Sequence, residues 1–243
     1  MHFIPRAVLP ELLDTMAPEE PLAQRSRRDL QRIHIVMNTR NTLHRALRRL
    51  RLSRPPRRIL ELGAGDGSLV LRLARTLAPL WPDVELTLLD RHDLISATTR
   101  EAYRDLGWQV SVVTSDVVHW AHTTSALHYD VCLAALFLHH FAEPELGEIL
   151  AAVAARSDAF VACEPRRNAW TRLGSRLVGV IGGNAVTRAD AITSVAAGFA
   201  GQELTRMWTG SSKDWIIEES RAFPFTHCFL ARPRERVANR PES

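Results

Sequence analysis

From residue 57 onward, short apolar runs alternate with longer amphipathic stretches, and this alternation restricts the fold more than any other feature of the 243-residue chain. Runs at 58–62, 84–89, 109–114, 129–136 and 158–163 have strand character, while 67–78, 93–106 and 143–156 repeat their apolar residues at helical spacing. Strands separated by helices pair in parallel through right-handed crossovers, so the expected class is a doubly wound α/β fold. The stretch VTRADAITSVAAGFAGQEL adds a helix, with Thr187 read as its N-cap, Asp190 three residues on, and Ile192, Val195, Ala196 and Phe199 on one face. Near the end, DWIIEES and FTHCFLAR flank RAFPF as an antiparallel hairpin at the sheet edge. The expected whole is a doubly wound, seven-stranded, mostly parallel sheet with an antiparallel C-terminal hairpin, preceded by an N-terminal helical segment.

That N-terminal segment reads as helices over 7–16 and about 26–51, where Leu30, Ile33, Met37, Leu43, Leu47 and Leu50 recur at near-helical spacing. Pro55 and Pro56 in SRPPRR end it, because proline cannot continue a helix. The expected division is a helical cap or lid over 1–56, a main domain over 57–232 and a disordered tail over 233–243. Residues 1–58 hold 13 basic and 5 acidic groups, against 18 and 22 in the remainder. Such a basic segment suits nucleic acid, an anionic membrane or an acidic partner. A solvated, arginine-rich helix face is the favoured alternative, because Lys213 is the sole lysine among 31 basic residues and the arginine bias is chain-wide.

Cys132, Cys163 and Cys228 sit inside apolar runs far apart in the chain, which predicts buried thiols in a reducing compartment, with neither a disulfide frame nor a zinc site. No metal site is read elsewhere. MHFIPRAVLPELLD lacks the apolar stretch of a signal peptide, and the longest apolar run, VCLAALFL, is too short to span a bilayer. A soluble, cytoplasmic protein is expected, and a homodimer is compatible with everything above.

The first strand runs into GAGDG. Gly63, Gly65 and Gly67 there allow positive φ and close backbone approach to a ligand, and the helix that follows offers free N–H groups. A dinucleotide site wants G-x-G-x-x-G, whereas here the third glycine comes one place early and Ser68 holds its position. Glu61, two residues before the glycines, would repel a pyrophosphate but suits a ligand carrying an ammonium and a sulfonium.

ILELGAGDGSL resembles motif I of the class I S-adenosylmethionine-dependent methyltransferases, and further motifs follow in order. LTLLDRHDL ends in Asp90, matching the acid that takes both ribose hydroxyls in that family, and a carboxylate accepting two such bonds is a strong grip. The 27 residues from Gly63 to Asp90 exceed the roughly 20 of nucleotide folds, with PLWPD as the extension, and Asp93 is the alternative acid. VVTSDVVHW supplies Asp116 and Val117 for the adenine, YDVCLAALFLHHF the fourth strand with an LHH turn like that of the ubiquinone and menaquinone type, and FVACEP the fifth strand. The resemblance implies S-adenosylmethionine as cofactor, held by Glu61, Gly63, Ala64, Gly65, Gly67, Asp90, Arg91, Asp116, Val117 and Ala135. The flanking segments are similar to those of bacterial methyltransferases found beside type III polyketide synthases, which implies a small phenolic, quinone-like or polyketide acceptor methylated on oxygen or carbon.

His140 and His139 follow the fourth strand, where the methyl group is expected to point, and a neutral histidine is a natural base near pH 7. His140 is preferred as the catalytic base, with His139 beside it; the LHH turn could instead only hold the loop. His34 and His44 are rivals if the N-terminal helices close over the site, although each reads as a surface histidine. Trp170, ahead of Trp208 and Trp215, is the aromatic candidate for an acceptor pocket, and Arg166 and Arg167 for an anionic acceptor group. A nucleic-acid methyltransferase is a rival reading, but AALFLHHF lacks the Pro-Pro-aromatic pattern of exocyclic-amine enzymes and no Pro-Cys nucleophile is present. A non-catalytic cofactor-binding assembly protein and a nicotinamide dehydrogenase are the other two, the latter opposed by Glu61 and the early third glycine.

Overall fold

The structure, a computed structural model, describes residues 5–124, 127–176, 178, 182–209 and 215–234. The five expected parallel strands form within two residues of their sequence bounds: β1 (Arg58–Leu62), β2 (Glu85–Asp90), β3 (Gln109–Thr114), β4 (Val131–Ala135) and β5 (Phe160–Pro165). The hairpin strands β6 (Trp215–Ala222) and β7 (Thr226–Pro233) complete one sheet in the order β3-β2-β1-β4-β5-β7-β6. β7 runs antiparallel to both β5 and β6, so it alone opposes the other six. The expected fold class is therefore observed.

Ten helices surround the sheet among the described residues: α1 (Leu12–Thr15), α2 (Pro21–Val36), α3 (Thr39–Arg49), α4 (Ser68–Leu77), α5 (Ala97–Asp105), α6 (Val117–His122), α7 (Glu143–Arg156), α8 (Ala169–Arg176), α9 (Ala185–Ala197) and α10 (Glu203–Met207). One apolar layer joins α3, α4 and α5 to one sheet face through Leu43, Leu47, Leu73 and Tyr103. The other joins α6, α7 and α10 to the opposite face through Trp120, Leu146, Leu150 and Leu204. All three cysteines are free and buried, and Cys163 and Cys228 are register partners across β5 and β7 with their sulfurs 4.0 Å apart.

Several local expectations are corrected. The helix expected over 7–16 is the single turn α1, since Pro10 breaks its first half and restricts Leu9. The helix expected over 26–51 is two helices, divided where Asn38 takes a left-handed φ of 54°, a conformation asparagine tolerates better than most residues. The N-cap of α9 is Asn184, whose side chain accepts from the Thr187 amide at 3.1 Å, so Thr187 lies inside the helix. Asp190 caps a different helix: its Oδ1 and Oδ2 accept from the amides of Leu12 and Leu13, at 2.7 and 3.0 Å, at the start of α1. Ile192 is exposed and Phe199 lies beyond α9, bridged to Arg166. The short helices α6, α8 and α10 have no counterpart in the sequence reading. Of the expected tail, residues 235–243 lie outside the described residues, and β7 carries one residue past the expected boundary.

The expected break at residue 56 does not coincide with a break in packing. Leu43, Ala46, Leu47 and Leu50 belong to the main core, so α3 is part of the main body and only the chain before Asn38 lies over it.

Gly147 lies inside α7 with nothing within 4 Å of where a β-carbon would stand. Glycine in a helix interior costs roughly 0.5–1 kcal/mol relative to alanine. Gly147→Ala is therefore expected to stabilise the protein by that amount and raise the melting midpoint by about 2–4 °C at most; calorimetry showing a fall would contradict the open packing described for this helix.

Candidate active site

The carboxyl ends of β1, β2 and β4 border one cavity of about 590 Å³, within the roughly 300–1,000 Å³ usual for small-molecule sites. Strand order reverses between β1 and β4, and open α/β sheets bind ligands at such a switch point. Leu30 and Ile33 of α2, Phe137, Val178, Ala191 and Phe225 give the cavity its apolar wall.

The glycine turn divides its labour. Gly65, at φ +54°, has nothing within 4 Å of a would-be β-carbon, so its backbone stands bare beside the cavity. At Gly63 a β-carbon would sit 2.1 Å from the Phe137 ring, so this glycine admits a neighbouring side chain. Gly67 does not line the cavity. It starts α4 at φ +69°, packs beside Ile95 and Leu88, and accepts the Tyr103 hydroxyl at 2.8 Å.

Glu61 ends β1 almost fully buried, and its Oε2 has no hydrogen-bond partner. Burial, aided by the charges of Asp66 and Asp90, pushes its carboxyl well above the usual range. A buried carboxylate without a partner is costly, and a cationic group in the cavity would satisfy it. Asp90 accepts from the Gly65 amide at 2.9 Å and the His92 amide at 3.1 Å, one bond to each oxygen. A carboxylate has about four lone-pair sites, so capacity remains for two ligand hydroxyls. Asp93 does not line the cavity and pairs with Arg100 at 2.6 Å. Asp116 caps α6, its Oδ1 accepting from Val118 at 2.8 Å. Ala64, Arg91, Val117 and Ala135 also line the cavity.

The LHH turn after β4 is fixed by Glu164, fully buried near the end of β5. Its Oε1 accepts from the Phe137 and Leu138 amides at 3.1 and 2.9 Å, and its Oε2 lies 2.7 Å from His139 Nδ1. The other His139 nitrogen, Nε2, lies 3.4 Å from Glu11 Oε1. Burial opposes charge on this ring, but hydrogen bonds and charges from Glu11 and Glu164 outweigh it and push the pKa up to about 9. That shift favours the protonated ring of His139 and leaves His140 the better placed of the two to take a proton. His140 is partly exposed, with Nδ1 3.0 Å from Asp14 and Nε2 4.0 Å from Glu11. Glu11, Asp14, His139 and His140 all line the cavity.

His34 is not a surface residue. It lines the cavity, its Nδ1 is buried without a hydrogen bond, and burial, assisted by Arg72, lowers its pKa to about 4. His44 does not line the cavity. Nor do the tryptophans: Trp170 is 77 % exposed on α8, while Trp208 packs on Phe160, Phe229 and Trp215 in the core. Arg167 is buried against Glu203 and the Gly198 carbonyl, and the Arg166 amide donates to Phe225, so neither arginine offers the cavity an anion site. The residues that sequence reasoning missed are Glu11, Asp14 and Glu164. A charged residue at the end of an apolar strand was the available signal for Glu164; Glu11 and Asp14 carry none, because their partners are distant in the chain.

Residues 59–156 match the methyltransferase domain family. No curated protein matches the chain in sequence. Among solved structures, the pyocyanin biosynthetic protein PhzM is 17% identical over 89% of this chain and 60% of its own, with a TM-score of 0.55. The mitomycin 7-O-methyltransferase MmcR is 14% identical over 91% of this chain and 60% of its own, at 0.59. Magnesium protoporphyrin IX methyltransferase from Synechocystis, solved with bound S-adenosylhomocysteine, is 15% identical over 91% of both chains, at 0.53. The chain thus spans about 60% of the length of PhzM and MmcR. Residues 59–156 resemble the methyltransferase domain, and the chain shares its fold with solved methyltransferases.

Proposed function

We propose that the protein is an S-adenosylmethionine-dependent methyltransferase acting on oxygen or carbon of a small, hydrophobic acceptor of phenolic, quinone-like or polyketide type. The observation that carries this reading is Glu61: a buried carboxylate with an unpartnered oxygen, beside the bare backbone of Gly65, is matched by the ammonium of the cofactor's amino-acid end. Asp90 takes the ribose hydroxyls, and Asp116 with Val117 the adenine. Gly63, Ala64, Arg91 and Ala135 shape the same wall.

When bound, S-adenosylmethionine supplies an electrophilic methyl group on sulfur. The chain has to align the acceptor, exclude water and remove its proton, and alignment alone can contribute about 7–11 kcal/mol. Leu30, Ile33, Phe137 and Phe225 fit an apolar acceptor. Deprotonation is assigned to the cluster of Glu11, Asp14, His139 and His140, with His140 its cavity-facing member. Residues 5–36 act as the cap: α1 and α2 bring Glu11, Asp14 and His34 to the cavity.

A small acceptor is supported over nucleic acid because some of the N-terminal arginines are already paired with carboxylates, Arg32 with Asp29, Arg49 with Glu218, Arg54 with Asp130 and Arg58 with Glu85. Among the described residues no helix is long and apolar enough to cross a membrane. Three free buried thiols support a reducing, cytoplasmic setting.

Titration calorimetry is expected to show binding of S-adenosylmethionine and none of NADH, with at least a tenfold loss of affinity in Asp90→Ala; preserved affinity would remove Asp90 from the ribose site. Glu61→Gln should weaken the cofactor equally while stabilising the ligand-free protein. The folded-state carboxyl of Glu61 is raised, so the native state holds a proton that the unfolded chain releases near pH 4.5, and stability falls as pH rises from there toward the folded-state value. Urea midpoints of the variant should exceed those of the parent at pH 7 and converge with them below pH 4.5.

His140→Ala is expected to lower turnover of a phenolic acceptor by about 10²–10⁴-fold with cofactor affinity unchanged, measured by transfer of a labelled methyl group. Undiminished turnover would move deprotonation away from this cluster.

A further inference from the structure

We propose that Glu11, His139 and His140 bind one divalent cation of the zinc class at the acceptor side of the cavity. The inference rests on the methyltransferase reading only for its consequence, since the site itself is defined by geometry.

One ligand atom from each of the three residues lies within 4.8 Å of the others. Glu11 Oε1 is 3.4 Å from His139 Nε2, and Glu11 Oε2 is 4.0 Å from His140 Nε2. Zinc–nitrogen and zinc–oxygen bonds of about 2.0–2.2 Å place tetrahedral ligand atoms about 3.4 Å apart, so the three donors, within 4.8 Å of one another, have to draw together around the ion.

The surroundings match what a metal-binding histidine requires. Such a ring holds its second nitrogen on a carboxylate or carbonyl, which fixes the tautomer and turns the other lone pair toward the ion. Both rings meet this condition: His139 Nδ1 is 2.7 Å from Glu164, and His140 Nδ1 is 3.0 Å from Asp14. His139 Nε2 is buried on a side chain only 3% exposed and makes no well-formed hydrogen bond, its nearest charged neighbour being Glu11 Oε1 at 3.4 Å. Three carboxylates, Glu11, Asp14 and Glu164, converge on two rings; Asp14 is shared with Arg91 at 3.0 Å and Glu11 also accepts from the Ser194 hydroxyl, so among the described residues Glu11 and Glu164 are the carboxylates paired with no cationic side chain other than the rings. The other histidine–carboxylate pairs, His122 with Glu148, His128 with Asp158 and His227 with Glu219, offer no third donor among the described residues.

Two imidazoles and one carboxylate favour zinc and its transition-metal neighbours over magnesium or calcium, which prefer all-oxygen shells. Three protein ligands leave a fourth position, and all three residues line the cavity. An acceptor hydroxyl in that position would lose its proton near neutral pH, as zinc-bound water does. The cluster assigned to deprotonation would then act through the ion, with His140 as a ligand.

The test uses the full chain, treated with chelator, then loaded with zinc or cobalt(II) and dialysed. One equivalent of metal should remain, and cobalt should give the intense visible bands of a four-coordinate site. Glu11→Gln and His140→Ala should lose the equivalent, Asp14→Asn should bind about 10–100-fold more weakly, and His122→Ala should bind as the parent does. No retained metal in the parent, or retention unchanged in both ligand variants, would overturn the proposal and leave the triad as an ion-pair cluster. Should the variants not fold, X-ray absorption of the zinc-loaded parent decides alone, because fewer than two imidazole ligands contradicts the site. Calorimetry with S-adenosylmethionine separates the two readings: cofactor binding without metal retention removes the metal and keeps the methyltransferase, and the converse does the reverse.

Discussion

The site depends on one buried carboxylate. Glu164 is fully enclosed, and the cost of that burial is offset because its two oxygens receive the Phe137 and Leu138 amides and the His139 ring. These bonds fix the turn after β4 against the end of β5. They hold Leu136 in a left-handed conformation, φ 52°, that costs roughly 1–2 kcal/mol for a residue with a β-carbon. They also seat Phe137 over Gly63 and turn His139 and His140 toward α1. Without Glu164 the glycine turn would lose its cover and the two rings would lose their orientation.

The opposite wall of the cavity carries the opposite condition. Glu61, Asp66 and Asp90 bring three acids together around backbone that has no side chain at Gly65, and the innermost of them is left with an unpartnered oxygen. A sequence selected for stability alone would fill this position with an apolar residue. The arrangement is better understood as a binding function held at the expense of the ligand-free fold, a trade often seen where activity needs a destabilised site.

The sheet was legible in the sequence because its strands are apolar runs whose identity depends on period and length, both local properties. The cavity's sheet side was legible for a related reason: Glu61, Gly65, Asp90, Asp116 and Val117 lie at or just beyond the carboxyl ends of strands, and parallel strands bring those ends together. Asp90 and Asp93 were open alternatives, and the distinction came from Arg100, which occupies Asp93. The cap side was not legible. Glu11 and Asp14 meet histidines about 130 residues away in the chain, and Asp190 meets Leu12 of α1 across 178. His34 looked like a surface residue because an arginine-rich helix with sparse apolar positions gives no sign of which face a distant helix will cover. Trp170 misled in the other direction, its place after the fifth strand suggesting an acceptor wall while α8 turns it to solvent.

The two N-terminal helices also differ in how they are held, and the difference places the functional boundary at Asn38. On α3 the buried residues include Leu43, Ala46 and Leu47, which join the main core. On α2 they are Ala23, Ser26 and Asp29, while Leu22, Ile35 and Val36 are exposed. α2 is attached largely through polar contacts: Asp29 accepts from the Asn184 amide and the Thr187 hydroxyl, and Gln31 donates to Asp66 on the glycine turn. Net hydrogen bonds are worth only about 0.5–1.5 kcal/mol each, because water replaces them when they open, whereas a buried leucine returned to water loses roughly 1.5–3 kcal/mol. Separation of α2 from the body thus disturbs little apolar surface, while separation of α3 would open the core. The left-handed residue between the two helices is where the chain changes from one mode of attachment to the other.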